Sequence, residues 1–127
     1  MPTPAPNFIL LYVSSPPASA RFYENLLGRP PVEASPTFAL FALDAGLMLG
    51  LWSRDAVQPA PPEGSMPGVC ELGFPVKNGG AVDDLHRAWT ALGLSLLQSP
   101  TRMDFGYTFT AADPDGHRLR VFAPEGQ

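Results

Sequence analysis

The stretch Asp113-Pro114-Asp115-Gly116-His117-Arg118-Leu119-Arg120-Val121-Phe122 combines a tight turn with a strand. Pro114 presets its own φ, and Gly116 tolerates a positive φ, so the first four residues favour a turn. The residues that follow alternate, which puts Arg118, Arg120 and Phe122 on one face of a strand and the leucine and valine between them on the other. The stretch therefore predicts a turn followed by a strand with one apolar side.

The chain up to and including this strand repeats one short pattern of secondary structure. Each copy opens with an apolar, β-type run, continues with a helical stripe of apolar residues that ends at a glycine, and closes with three short strands. Ser14 or Ser15 can cap the first helix, with Pro16 or Pro17 in its first turn, and Gly28 ends it. The first copy places its strands at about 8–13, 32–34, 38–43 and 47–53.

The second copy opens at about 69–77 and breaks at Gly79-Gly80 before its helix. That helix carries Val82, Leu85, Trp89 and Leu92 as its apolar stripe. Gly93 ends it, and strands follow near 94–98, 105–112 and 117–122.

The predicted order is βαβββ–βαβββ, with an offset of roughly 60–65 residues between the copies. We predict an α+β fold and a single domain, 1–127, with a first module at 7–53 and a second at 68–124. The proline-rich segment 54–67 between them is expected to be an extended linker. The alternative is an ordinary α+β sandwich whose symmetry is accidental.

Composition excludes several classes of protein. The chain has 127 residues, of which 45% are hydrophobic and 16% charged, and this is typical of a globular domain. No apolar run reaches the roughly 20 residues of a membrane-spanning helix. A net charge of −4 without a basic cluster argues against nucleic-acid binding, and a single cysteine, Cys70, excludes an internal disulfide. Because the segment MPTPAPNF does not resemble a signal peptide, we expect a cytoplasmic protein.

Alternation along the fourth strand indicates a binding face. Met48, Gly50 and Trp52 share one side, opposite a side made of leucines. The leucines suit packing against a helix. The first set suits a slot, because the glycine leaves space, methionine adapts its shape and tryptophan offers a flat surface. On the seventh strand we expect Phe105, Tyr107 and Phe109 to share a face.

The turn and strand at 113–122, together with the doubled pattern, resemble the end of a glyoxalase/bleomycin-resistance/dioxygenase (vicinal oxygen chelate) domain. The resemblance implies two βαβββ modules that form a curled mixed sheet with a concave cup. Metal-dependent members place ligands at four positions that correspond here to Phe8, Gly50, Glu71 and Arg120. Of these only Glu71 suits a metal, and a guanidinium would repel one, so we expect no metal and no cofactor.

Other residues at this expected site leave two interpretations open. Glu71 and Arg120 either form a bidentate ion pair, or Arg120 extends to the solvent at the rim without a specific partner. Both histidines, His86 and His117, are expected to be exposed and structural.

Several strings resemble one branch of the superfamily, the phenazine-antibiotic resistance proteins. They include Leu51-Trp52-Ser53, Glu71-Leu72-Gly73 and Asp104-Phe105-Gly106-Tyr107-Thr108-Phe109. Members bind a planar aromatic antibiotic without a metal, between aromatic side chains in a cleft at a dimer interface. The resemblance implies that Trp52 is a stacking platform, that the Phe105–Tyr107 strand is the other wall, and that Arg120 is a partner for an acidic or carbonyl group. The expected ligand-binding residues are Met48, Gly50, Trp52, Phe41, Glu71, Met103, Phe105, Tyr107 and Arg120.

Three functions follow from these residues. The first is metal-independent sequestration of a planar aromatic small molecule, such as a phenazine, by a homodimer. The second is a metal-dependent lyase, isomerase or dioxygenase of the same superfamily. The third is metal-free catalysis with Glu71 as the base.

Overall fold

The repeated sequence pattern becomes two βαβββ modules in the computed structural model, which describes residues 4–66 and 70–124. They belong to two units, Met1–Ser65 and Met66–Gln127. The described residues of the first form β1 (Phe8–Val13), α1 (Pro16–Leu27), β2 (Glu33–Ala34), β3 (Phe38–Ala42) and β4 (Met48–Ser53). Those of the second form β5 (Glu71–Pro75), α2 (Gly79–Ala91), β6 (Ser95–Met103), β7 (Gly106–Ala112) and β8 (Arg118–Ala123).

Each module carries its own four-stranded mixed sheet with the same strand order. The orders are β1-β4-β3-β2 and β5-β8-β7-β6. In each, the first and fourth strands of the module are parallel, and the other pairs are antiparallel. The predicted α+β fold with two βαβββ modules is therefore confirmed, and accidental symmetry is excluded.

Both helices begin at a polar cap. The side chain of Ser15 accepts a hydrogen bond from the backbone N–H of Ala18, and Gly28 ends α1 with a φ of 71°. Asn78 caps α2 in the same way through the N–H of Ala81. The predicted apolar stripe of α2 is wrong at one position, since Leu92 is the C-cap of the helix and is 54% exposed.

The core of each module lies between its helix and one face of its sheet. In the first module Leu11, Val13, Leu49 and Leu51 are buried together with Tyr23 of α1. In the second, Trp89 of α2 packs edge-to-face on Phe74 and Phe109, with ring centroids 5.4 and 5.3 Å apart. Alternation then directs the remaining strand residues to the opposite face of each sheet.

The turn before β8 is held by Asp113. Its buried carboxylate accepts hydrogen bonds from the backbone N–H groups of Asp115 and His117, each at 2.9 Å. His117 is itself buried, contrary to our expectation that it is exposed. His86 is half-buried, and its ring lies 5.2 Å from that of Phe109.

Two boundaries differ from the predictions. The segment after β4 is not extended from its start, because residues 54–57 turn back and the N–H groups of Ala56 and Val57 donate to the carbonyl of Ser53. Burial of Val57 explains this turn, since an apolar side chain in the linker can reach the core. β6 extends to Met103, well beyond the predicted 94–98, with irregular pairing on either side of Gln98. Pro67 and the predicted strand start at Val69 lie outside the described residues.

Candidate functional site

The sheet face of the first module that points away from α1 is apolar and aromatic. Register pairs Phe8 with Met48, Leu10 with Gly50, and Tyr12 with Trp52. On the other side of β4, Phe38 pairs with Trp52. Met48, Gly50 and Trp52 therefore share a face, as alternation along the strand predicted.

An open cavity of about 380 Å³ lies on this face. Phe8, Leu10, Phe38 and Trp52 line it. The rings of Phe38 and Trp52 meet edge-to-face with their centroids 6.2 Å apart, and the indole is half-buried. Gly50 lets two of the lining side chains close over the middle of β4, because a Cβ there would lie 2.5 Å from Leu10 Cδ2 and 3.2 Å from Phe38 Cζ. The surface is suited to a flat apolar ring.

Phe41 does not belong to this face. It pairs with Leu49 on the side of β3 that faces α1, and it is fully buried. Strand alternation explains the correction, because a residue three positions from Phe38 must point to the opposite side. Phe41 was expected among the ligand-binding residues, but the pairing register puts Phe38 on the cavity face instead.

The corresponding face of the second module is built around an ion pair. Arg120 Nε donates to Glu71 Oε2 at 2.8 Å, and Nη2 donates to Glu71 Oε1 at 3.5 Å. Nη1 donates to Gln98 Oε1 and to Thr108 Oγ1, each at 3.3 Å. Of the two interpretations of Arg120, the structure therefore contains the bidentate pair.

Aromatic and sulfur-containing side chains adjoin this ion pair. The guanidinium carbon of Arg120 lies 5.7 Å from the ring centroid of Phe105, and that ring lies 6.3 Å from the ring of Phe122. Gln98 Nε2 reaches Met103 Sδ at 3.5 Å. The structure thus brings Glu71, Met103, Phe105 and Arg120 together, as the sequence predicted.

Phe122 belongs to this group too, on the face of β8 that alternation predicted for it and Arg120. Gln98 and Thr108 complete the group, and sequence reasoning did not assign them to it. Thr108 carried a usable signal, because it alternates with Thr110 on one side of a strand whose other side is apolar. Gln98 carried no such signal, because β6 pairs irregularly on both sides of it and simple alternation does not predict which way its side chain points.

Tyr107 does not share a face with Phe105. It lies on the α2 side of β7, where its hydroxyl donates to Asp83 Oδ1 at 2.8 Å and Arg102 lies over its ring. Gly106 is the physical reason, because its φ of 147° interrupts the alternation between the two aromatic residues. A Cβ on Gly106 would lie 2.1 Å from the carbonyl oxygen of Ala123, so only glycine fits there. Tyr107 therefore contacts α2 and does not share a face with Phe105, contrary to the prediction.

The strand pairing also shows which positions of the two modules are equivalent. Phe8 pairs with Met48, and Glu71 pairs with Arg118, so Gly50 and Arg120 each lie two residues further along the fourth strand of their module. In residues 4–66 and 70–124, no group of three or more His, Cys, Asp and Glu side chains is placed to hold a metal ion. Within the same residues, no helix is long and apolar enough to cross a membrane.

Paired βαβββ modules, each with an open sheet face opposite its helix, define a class of protein. The chain belongs to the glyoxalase/bleomycin resistance protein/dioxygenase superfamily, whose family model matches residues 5–121.

Individual relatives narrow the comparison. The phenazine antibiotic resistance protein EhpR of Enterobacter agglomerans is 32% identical over 123 residues, which cover 94% of this chain and 92% of that protein. A protein of Agrobacterium tumefaciens with a solution NMR structure is 53% identical, with a TM-score of 0.87 over 98% of this chain and 100% of that one. A glyoxalase-related enzyme from Fulvimarina pelagi is 28% identical, with a TM-score of 0.80 over 94% and 87% of the two chains.

Proposed function

We propose that this protein binds a planar aromatic small molecule without a metal ion, and that the ligand is an antibiotic such as a phenazine. Binding sequesters the drug in the cytoplasm and lowers its free concentration, which gives resistance. The observation that carries the proposal is the aromatic cavity formed by Phe8, Leu10, Phe38 and Trp52.

The chemistry of that cavity supports a flat, apolar ligand. Its volume of about 380 Å³ falls within the range of small-molecule sites, roughly 300–1,000 Å³. A ring stacked on Trp52 gains about 1 kcal/mol beyond the burial of its surface. None of the four lining side chains is charged, so the affinity comes from burial and stacking.

The relatives support the same ligand class. EhpR is named a phenazine antibiotic resistance protein, and its identity to this chain extends over nearly the full length of both. In the second module, the rings of Phe105 and Phe122 beside Arg120 offer a further aromatic surface with polar anchors. We propose that Trp52, Met48 and Gly50 are the ligand-binding residues on the face of the first module. On the face of the second module we propose the same role for Phe105, Met103, Arg120 and Glu71.

Tryptophan fluorescence provides a direct test, because the chain has two tryptophans in different environments. Trp52 lines the cavity, whereas Trp89 is buried between α2 and its sheet. We expect titration with a phenazine to quench the wild-type protein saturably. Trp89→Phe should retain that quenching, since Trp52 is then the sole emitter. Trp52→Ala should lose it, and calorimetry should show an affinity roughly 10–100-fold lower.

Two further measurements separate sequestration from enzyme activity. A chelator should leave the affinity unchanged, and the phenazine recovered from the complex should be chemically intact. Equal affinity in Trp52→Ala and the wild type would contradict the assignment of the cavity. Binding that requires a divalent ion, or a modified product, would instead indicate an enzyme of the superfamily.

A further inference from the structure

The ion pair between Glu71 and Arg120 bears on which ligands the second module accepts. We infer that Glu71 is a specificity-determining residue, which makes the surface around Arg120 accept uncharged planar ligands as readily as aromatic carboxylates. The inference rests on the proposed function, because it concerns the charge of the same aromatic ligand.

The first step is the geometry of the guanidinium. All three of its nitrogens donate to acceptors within the module: Nε and Nη2 to the Glu71 carboxylate, and Nη1 to Gln98 and Thr108. A guanidinium has five N–H donors, and these contacts use four of them. Arg120 is thus held in a defined orientation, with little hydrogen-bonding capacity left for an acidic ligand.

The second step is the local charge. Glu71 and Arg120 carry opposite unit charges in direct contact, so an incoming carboxylate meets a repulsive carboxylate together with the attractive guanidinium. The Glu71 side chain is 41% exposed and that of Arg120 is 19% exposed. An anion approaching from solvent therefore meets the Glu71 carboxylate, which is more accessible than the guanidinium. The anion then loses its hydration, and the ion pair offers no net positive charge to compensate.

The third step is the interaction that Arg120 can still make with a ligand, which is stacking on an aromatic ring. A guanidinium is planar and presents a delocalised surface that stacks on aromatic rings. Its carbon already lies 5.7 Å from the Phe105 ring centroid. This contact requires no acidic group on the ligand, which makes the surface suited to neutral ring systems.

Other charged side chains on or beside this face are exposed to solvent. Arg118 lies on the same face of β8, two residues before Arg120, and it is exposed. Asp104 is exposed in the turn beside Phe105. Solvent and salt screen such groups, so the directly paired carboxylate of Glu71 dominates the charge next to the rings.

The test compares two ligands of nearly the same shape but different charge, phenazine-1-carboxylate and phenazine-1-carboxamide, at neutral pH by calorimetry. For the wild type we expect affinities within roughly threefold of each other. Glu71→Gln keeps the side-chain shape and removes the negative charge, so it should favour the carboxylate roughly tenfold. Arg120→Gln leaves Glu71 uncompensated and should favour the carboxamide by a similar factor.

Arg87→Gln is the control, since it removes an exposed arginine from α2, on the opposite side of the sheet, and should leave the wild-type ratio nearly unchanged. A wild-type preference of tenfold or more for the carboxylate would overturn the inference while leaving the proposed function intact. An unchanged ratio in folded Glu71→Gln would overturn it as well, and Arg120→Gln decides the matter independently if that variant does not fold. Failure of the wild type to bind either phenazine would overturn the proposed function and this inference with it.

Discussion

Gly50 leaves the middle of β4 without a side chain on the face that carries the cavity. A Cβ there would lie 2.5 Å from Leu10 Cδ2 and 3.2 Å from Phe38 Cζ. Both of these residues line the cavity, so any side chain at position 50 must displace its wall. The atoms in the way belong to side chains and not to the backbone, so the fold can adjust at modest cost.

We therefore predict that Gly50→Ala weakens phenazine binding roughly five- to tenfold and lowers the free energy of unfolding by only about 1 kcal/mol. Calorimetry and urea denaturation measure the two effects. Gly80→Ala is the control, because a Cβ there would meet only Asn78 Oδ1, at 3.4 Å, in the first turn of α2. Unchanged affinity in Gly50→Ala would mean that the ligand does not use this cavity.

At the scale of elements, each helix is held to its sheet by a few large side chains. Trp89 is the anchor of α2, with its ring against Phe74 and Phe109. Leu92 belongs to the same predicted stripe but lies at the C-cap and is exposed. Periodicity alone assigns both residues to the buried face, whereas their energetic contributions differ because the helix ends before Leu92 can reach the sheet.

We predict that Trp89→Ala lowers the free energy of unfolding by about 3–5 kcal/mol. Leu92→Ala should change it by less than about 0.5 kcal/mol, since little surface is lost from the core. Urea denaturation followed by circular dichroism measures both variants without relying on tryptophan emission. Similar losses in the two would show that the C-terminal end of α2 packs as tightly as its middle.

At the scale of the whole molecule, the chain exposes several large apolar side chains. Among the described residues these are Phe8, Leu10, Tyr12, Val32, Met66, Leu92, Leu97, Met103 and Phe105. Phe8, Leu10 and Tyr12 alternate along one face of β1, and a contiguous exposed apolar patch is typical of an interaction site. Two of these residues, Phe8 and Leu10, also line the cavity. We propose that two copies of the chain form a two-fold dimer with two equivalent ligand sites at its interface.

Sedimentation equilibrium tests this proposal. The protein should sediment at twice the 13.6 kDa of the single chain, and a phenazine should shift the association towards the dimer. A species of 13.6 kDa at every concentration, with and without the phenazine, would contradict the dimer.

Much of the fold follows from local features of the sequence. The caps at Ser15 and Gly28 and the alternation of Met48, Gly50 and Trp52 depend on neighbouring residues only, and the structure confirms them. The grouping of Glu71, Met103, Phe105 and Arg120 was also predicted, from positions along the chain and the family resemblance.

Other features depend on contacts between distant parts of the chain. The backbone of Gly106 turns Phe105 towards Arg120 and leaves Tyr107 on the helix side, which alternation does not reveal. Pairing of β3 with β4 selects Phe38 over Phe41. By itself, the sequence determined the kind and the order of the strands and helices, because propensity, capping and periodicity are local. Only the tertiary structure decided which side chains meet, because strand register and backbone conformation at single glycines set their direction.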